Sequence, residues 1–126
     1  DMLNLLELHK KEKNLLFIIT EEPQEIADIV SNYLGIPVFG TQIGKHDHVF
    51  TGTVVGHIMK EEWKREKIIE LSHAHGIDLS KSYAYGNSWI DYAMLKTVGH
   101  PCLVRPSRSL AKRGKKLDFR IIKSLS

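Results

Sequence analysis

SYAYGNSWIDYAML, residues 82–95, is the stretch that decides the fold. A short apolar run, Tyr83-Ala84-Tyr85, meets Gly86, and Asn87, Ser88 and then Asp91 come after it. Beyond them Ile90, Ala93, Met94 and Val98 fall at helical spacing. The stretch reads as strand, tight turn, helix. In open α/β sheets ligands bind outside the carboxyl ends of the strands, so Asn87 and Asp91 are expected at the mouth of a site. The plainer reading of the same polar residues is that they cap a helix, since Asn, Ser and Asp all favour that place.

Working outward from there, the rest of the chain keeps the alternation going. Towards the N-terminus, Leu3 to Lys11 reads as an amphipathic helix with Leu5, Leu6 and Leu8 on its apolar side, broken at Asn14. Leu15-Leu16-Phe17-Ile18-Ile19 is a continuous apolar run, as in a buried parallel strand, and it ends at Thr20. Thr20 stands as N-cap of a helix opened by Glu21, Glu22 and Pro23. That helix carries Ile26, Ile29, Val30 and Leu34 on one face and stops at Gly35. From Ile36 to Ile58 the period changes to two, and a β-hairpin is expected over about 37–57, turning between Gly44 and His48. His46, His48 and His57 cluster there without a Cys or fourth ligand at zinc spacing, and read as loop histidines. Lys60 to His75 is a helix with Trp63, Ile68, Leu71 and Ala74 apolar. After the central stretch, Gly99 stops a helix, Pro101-Cys102-Leu103-Val104 is a buried strand, a basic helix runs through Lys112, and Phe119 to Ile122 is a last strand. Alternating strands and helices imply a parallel α/β sheet covered on both faces.

Composition narrows the classes. A length of 126 residues suits a single domain, 1–126, with a modest core. Apolar and charged fractions of 42% and 26% are those of an ordinary soluble globular protein. The apolar runs are too short for a membrane span, and no signal-peptide pattern opens the chain, because Glu7 interrupts Met2–Leu8. Cys102 is the single cysteine and reads as a small buried hydrophobe; this usage fits a reducing, cytoplasmic setting. The net charge of +3 hides an asymmetry: residues 1–104 hold ten basic and fourteen acidic side chains, residues 105–126 eight and one. Such a basic tail could contact nucleic acid or an anionic lipid surface. Apart from Phe119 no aromatic residue interleaves the cations, so composition argues against nucleic acid and for a solvated helix face beside a site that handles anions.

The order of these features resembles the haloacid dehalogenase superfamily, in the branch of phosphoserine phosphatase. TEEPQEIADIVSNYLGIPVFGT, residues 20–41, resembles that branch's second motif and the segment after it. GNSWIDYAMLKTVGHPCLVRPSRSL, residues 86–110, resembles its fourth motif and the strand beyond, with Lys64 near a helix start between the two. The resemblance runs from Leu3 to Ile122. It implies an α/β, Rossmannoid three-layer sandwich with a parallel sheet and a small hairpin. It also implies Mg²⁺-dependent hydrolysis of a small phosphomonoester through an aspartyl-phosphate. Thr20, Lys64 and Asp91 would be the catalytic residues; Thr20, the backbone at Glu21 and Lys64 would hold the phosphate; Asn87 and Asp91 would face the metal. Each also has a plainer reading: Thr20 an N-cap, Lys64 one lysine among its rivals Lys60 and Lys67, Asp91 a helix-start carboxylate.

Two departures qualify the resemblance. The family's first motif, two spaced aspartates on the first strand that supply the nucleophile, is expected upstream of Leu3, and the cap that comes after it is not in the sequence. A processed or truncated product is therefore expected, with magnesium weak or absent. Asn87 also stands where the family usually has a metal-binding aspartate, and hard cations prefer carboxylates. Without the first strand two strands lack a neighbour, so another chain or copy is expected to complete the sheet, or the strands to close up. The alternative function is a non-catalytic relative that binds a phosphate compound or a partner protein.

Overall fold

The computed structural model describes residues 2–123, with the side chains of Met2 and Leu3 left aside. Chain contacts divide it into two compact units, Met2–Trp63 and the chain from Lys64 onward. Among the described residues no helix is long and apolar enough to cross a membrane.

In the first unit, helix α1 (Met2–Lys11) turns His9 inward and leaves Leu8 half exposed. Asn14 meets the His9 ring at 2.8 Å where the helix has ended. The apolar run 15–19 makes its strand later than expected: β1 is Ile18–Pro23, and Leu15 is exposed. β1 pairs in parallel with β2 (Val38–Thr41), through Ile18↔Val38 and Ile19↔Phe39, with an irregularity before Pro23↔Thr41.

Helix α2 (Gln24–Leu34) joins the two strands and ends at left-handed Gly35, as expected. Its start differs from the sequence reading. Pro23, without a side-chain cap, precedes the first turn, because β1 extends through Thr20. Gln24 ties helix to strand, accepting from the Gly40 N–H at 2.7 Å and donating to the Val38 carbonyl at 3.0 Å. Ala27 is the buried residue of α2, while Ile26 and Ile29, expected to face the core, are 46% and 65% exposed.

The hairpin is shorter than the 37–57 expected, because residues 38–41 belong to the parallel pair. It comprises β3 (Ile43–His46) and antiparallel β4 (Val49–Val54). Asp47 and His48 turn it with φ of 50° and 66°, the positive pair that a tight two-residue hairpin turn needs. His57 stacks on Trp63, ring centroids 3.6 Å apart. Among the described residues no group of three or more His, Cys, Asp or Glu is placed to hold a metal.

The second unit holds most of helix α3 (Glu62–His75) and a three-stranded parallel sheet: β5 (Tyr83–Gly86), β6 (His100–Val104) and β7 (Arg120–Ile122), with β6 in the middle. Short helix α4 (Tyr92–Leu95) comes after β5, and α5 (Arg108–Lys116) joins β6 to β7. Ser107 caps α5 by accepting from the Leu110 N–H at 3.3 Å. Leu71, Met94, Leu95, Cys102, Leu103 and Leu110 form the core, with Leu95, Leu103 and Leu110 fully buried. Burial pushes the Cys102 thiol up, consistent with an apolar rather than a reactive cysteine. Within the described residues β1 bonds only to β2 and β5 only to β6, so each keeps one open edge.

Candidate functional site

The strand, turn and helix read from residues 82–95 are present, in shorter form. β5 ends at Gly86, Asn87 and Ser88 make the turn, and a single 3-10 turn, Trp89–Asp91, leads into α4. The turn swings the Asp91 side chain back over the strand end. Its Oδ2 accepts the Asn87 N–H at 3.1 Å, so Asp91 satisfies a backbone donor at the mouth of the sheet. A Cβ on Gly86 would lie 2.6–2.9 Å from side-chain atoms of Asp91, so the position requires glycine for close approach.

The other oxygen, Oδ1, accepts from Lys64 Nζ at 2.6 Å. α3 and the turn after β5 thus deliver opposite charges to one point. Lys64 is 8% exposed and Asp91 7%. Such a pair is held by mutual charge that water scarcely screens. A lysine ammonium has three donors, and Asp91 is its one acceptor among the described residues. The remaining donors can bind anionic oxygens, and Asp91 fixes where they point.

Burial separates Lys64 from its rivals. Lys67 bridges to Glu70 at 3.0 Å on the side of α3, and Lys60 lies before the helix in the first unit. Of the residues singled out from the sequence, the structure brings together Lys64, Asp91 and the Asn87 backbone. Thr20 and Glu21 lie on β1 in the other unit, where the Thr20 hydroxyl accepts from the Glu22 N–H at 3.2 Å. One participant escaped the sequence reading: Trp89, whose indole N–H donates to Ser109 at 3.0 Å.

The Asn87 side chain is exposed and has no partner among the described residues. It offers a neutral amide oxygen, while both Asp91 oxygens are engaged. Mg²⁺ is held by oxygen ligands that include at least one carboxylate. Residues 2–123 therefore do not make a Mg²⁺ site by themselves.

Comparison with known proteins gives this geometry a setting. The chain is 33% identical over 123 residues to phosphoserine phosphatase SerB1 of Mycobacterium tuberculosis (strain ATCC 25618 / H37Rv), covering 93% of this chain and 40% of that protein. It is 32% identical over 111 residues to the inhibition of morphological differentiation protein of Streptomyces azureus, covering 86% and 40%. The chain thus spans about two-fifths of the length of these curated relatives. A solved structure described as a phospho-aspartyl intermediate analogue of phosphoserine phosphatase matches with a TM-score of 0.80 at 20% identity, over 97% of this chain and 57% of that one. A protein of unknown function from Bordetella pertussis Tohama I matches with a TM-score of 0.84 at 20% identity, over 95% and 56%. At such identities the structural likeness speaks for the fold, an α/β Rossmannoid architecture with parallel sheets. The family model for haloacid dehalogenase-like hydrolases matches residues 1–96, taking in both Lys64 and the Gly86–Asp91 turn, and the chain accordingly belongs to that family, as a phosphoserine phosphatase-like member.

Proposed function

We propose that this chain carries the charge-stabilising part of a phosphomonoester hydrolase, within one core domain over residues 1–126. The observation behind the reading is the buried Lys64–Asp91 pair at the end of β5, with ammonium donors to spare. In the proposed reaction a carboxylate from outside residues 2–123 attacks phosphorus as the ester P–O bond breaks and the alcohol leaves. Water then cleaves the acyl-phosphate, releasing inorganic phosphate and restoring the carboxylate. Lys64 neutralises the phosphoryl oxygens, and Asp91 holds Lys64 in place. Phosphoryl transfer depends mostly on such positioning and charge neutralisation. The Thr20 hydroxyl, accepting from Glu22 in the described state, retains a proton with which to donate to a phosphate oxygen. The solved relative described as a phospho-aspartyl analogue supports an aspartyl intermediate. The Mg²⁺ used by the family would need carboxylates supplied by the same outside segment.

Asn87 favours a second reading, a relative that binds a phosphate compound or a partner protein without turnover, because its amide brings no charge to a metal. Phosphate release from a panel of small phosphomonoesters by the full gene product distinguishes the two. The expected result is Mg²⁺-dependent turnover that falls by about 10²–10³ in Lys64→Ala. No turnover by the full gene product, with phosphate binding retained, would establish the second reading.

A further inference from the structure

Helix α5 is built with two unlike faces. Leu110 and Gly114 are buried, and a Cβ on Gly114 would come within 2.5 Å of Leu103 Cδ1, so this side lies close against β6. On the helical wheel Arg108, Lys112, Lys115 and Lys116 occupy the opposite arc with Arg113 at its flank, and all five are exposed. Arg105, Arg120 and Lys123, also exposed, lie on the chain just before and just after the helix. Among the described residues none of these eight cations makes an ion pair, whereas Lys45, Lys64, Arg65 and Lys67 all do. Trp89 lies beside this face. Its N–H is satisfied by Ser109 and its ring packs edge-on against Tyr92 at 5.1 Å, yet the residue is 45% exposed. Leu117, at the other end of the helix, is 43% exposed.

We infer that this face docks on an anionic phospholipid bilayer, holding the chain at the membrane surface without crossing it. Charge complementarity carries the assignment: five cations without an ion pair on the helix and three more on the chain flanking it, with Asp118 as the one nearby acid in the sequence. The arc is convex, with a single indole at its edge. A single-stranded polynucleotide is bound in a basic groove lined by successive stacking rings, and this face has neither feature. A broad negative surface needs only outward-facing cations, and an amphipathic indole suits the level of the headgroups. The inference does not depend on the catalytic reading.

Co-sedimentation of the full chain with vesicles tests it. Vesicles of phosphatidylcholine with one part in three phosphatidylserine are expected to retain the protein, and phosphatidylcholine alone to leave it in solution. Binding should vanish in about 1 M salt, where the screening length falls to about 3 Å. The triple change Lys112→Glu, Arg113→Glu, Lys116→Glu should weaken binding by about 100-fold or more, since each lost cation is worth roughly five-fold. The matched change Lys11→Glu, Lys13→Glu, Lys81→Glu should preserve most of it. Trp89→Ala should weaken binding by a smaller factor. Equal retention by both vesicle types, an equal loss in the two triple variants, or tighter binding to a single-stranded RNA oligonucleotide than to the anionic vesicles would each overturn the assignment.

Discussion

Strands β1 and β6 begin from similar sequence and end in different environments. Each takes in part of a short apolar run, Leu15–Ile19 for β1 and Pro101–Val104 for β6, pairs in parallel and precedes a helix. β6 has a hydrogen-bonded neighbour on each side and α5 against it, and Cys102, Leu103 and Val104 are 1%, 0% and 8% exposed. β1 has β2 alone, and Leu16 to Thr20 are only half-buried. An apolar run therefore states a demand for burial, and the number of neighbouring elements decides how far the demand is met. The same contrast separates the site residues. Asp91 and Lys64 are buried and paired in the second unit. Thr20 lies on a strand that, among the described residues, has one open edge.

The sharpest way to break the comparison is to unpair the buried charges. Asp91→Ala should destabilise the second unit by about 3–5 kcal/mol, because it strands a buried ammonium. The double variant Lys64→Met, Asp91→Leu should recover much of that loss in a urea titration. If Asp91→Ala costs less than about 1 kcal/mol, the pair is wetter than its burial states.

Truncating an apolar side chain in β6 and one in the run that leads into β1 comes next. Leu103→Ala should cost about 2–5 kcal/mol through the cavity it leaves, and Leu15→Ala within about 0.5 kcal/mol, as for an ordinary surface site. Similar losses at the two positions, read from chemical denaturation, would erase the distinction between β6 and the apolar run before β1.

Smallest is the capping contrast. Ser107→Ala removes the acceptor for the Leu110 N–H and should cost about 1 kcal/mol. Thr20 caps no helix, so Thr20→Val should shift the thermal midpoint by less than Ser107→Ala does. The reverse order would mean that α2 begins earlier in solution, at Thr20.

Much of the second unit was legible from residue order. The spacing from Tyr83 through Gly86 to Asp91 specified strand, turn and helix. The first unit was less legible. The alternation over 36–58 runs unbroken through Gln42, although one part pairs in parallel with β1 and the other antiparallel with β4. Period two describes how side chains alternate along a strand and contains nothing about the partner. The Thr20 cap failed for a related reason: Thr is equally at home in a strand, and pairing with β2 carried β1 on to Pro23.

By itself, the sequence determined the kinds of element, their order, the glycine at the strand end, and the charges available at the turn, since these depend on local propensity and periodicity. The sequence already favours Lys64 over Lys60 and Lys67; only the tertiary structure shows that it meets Asp91 in a buried pair, that Gly86 makes room for that carboxylate, and that Ile26 and Ile29 face outward. Those outcomes depend on which elements pack together across long separations in the chain, and residues 64 and 91 become neighbours only when α3 and the turn after β5 come together. Burial then turns a pair of ordinary surface residue types into a fixed charge pair, because removing water strengthens their attraction and makes leaving either one alone costly.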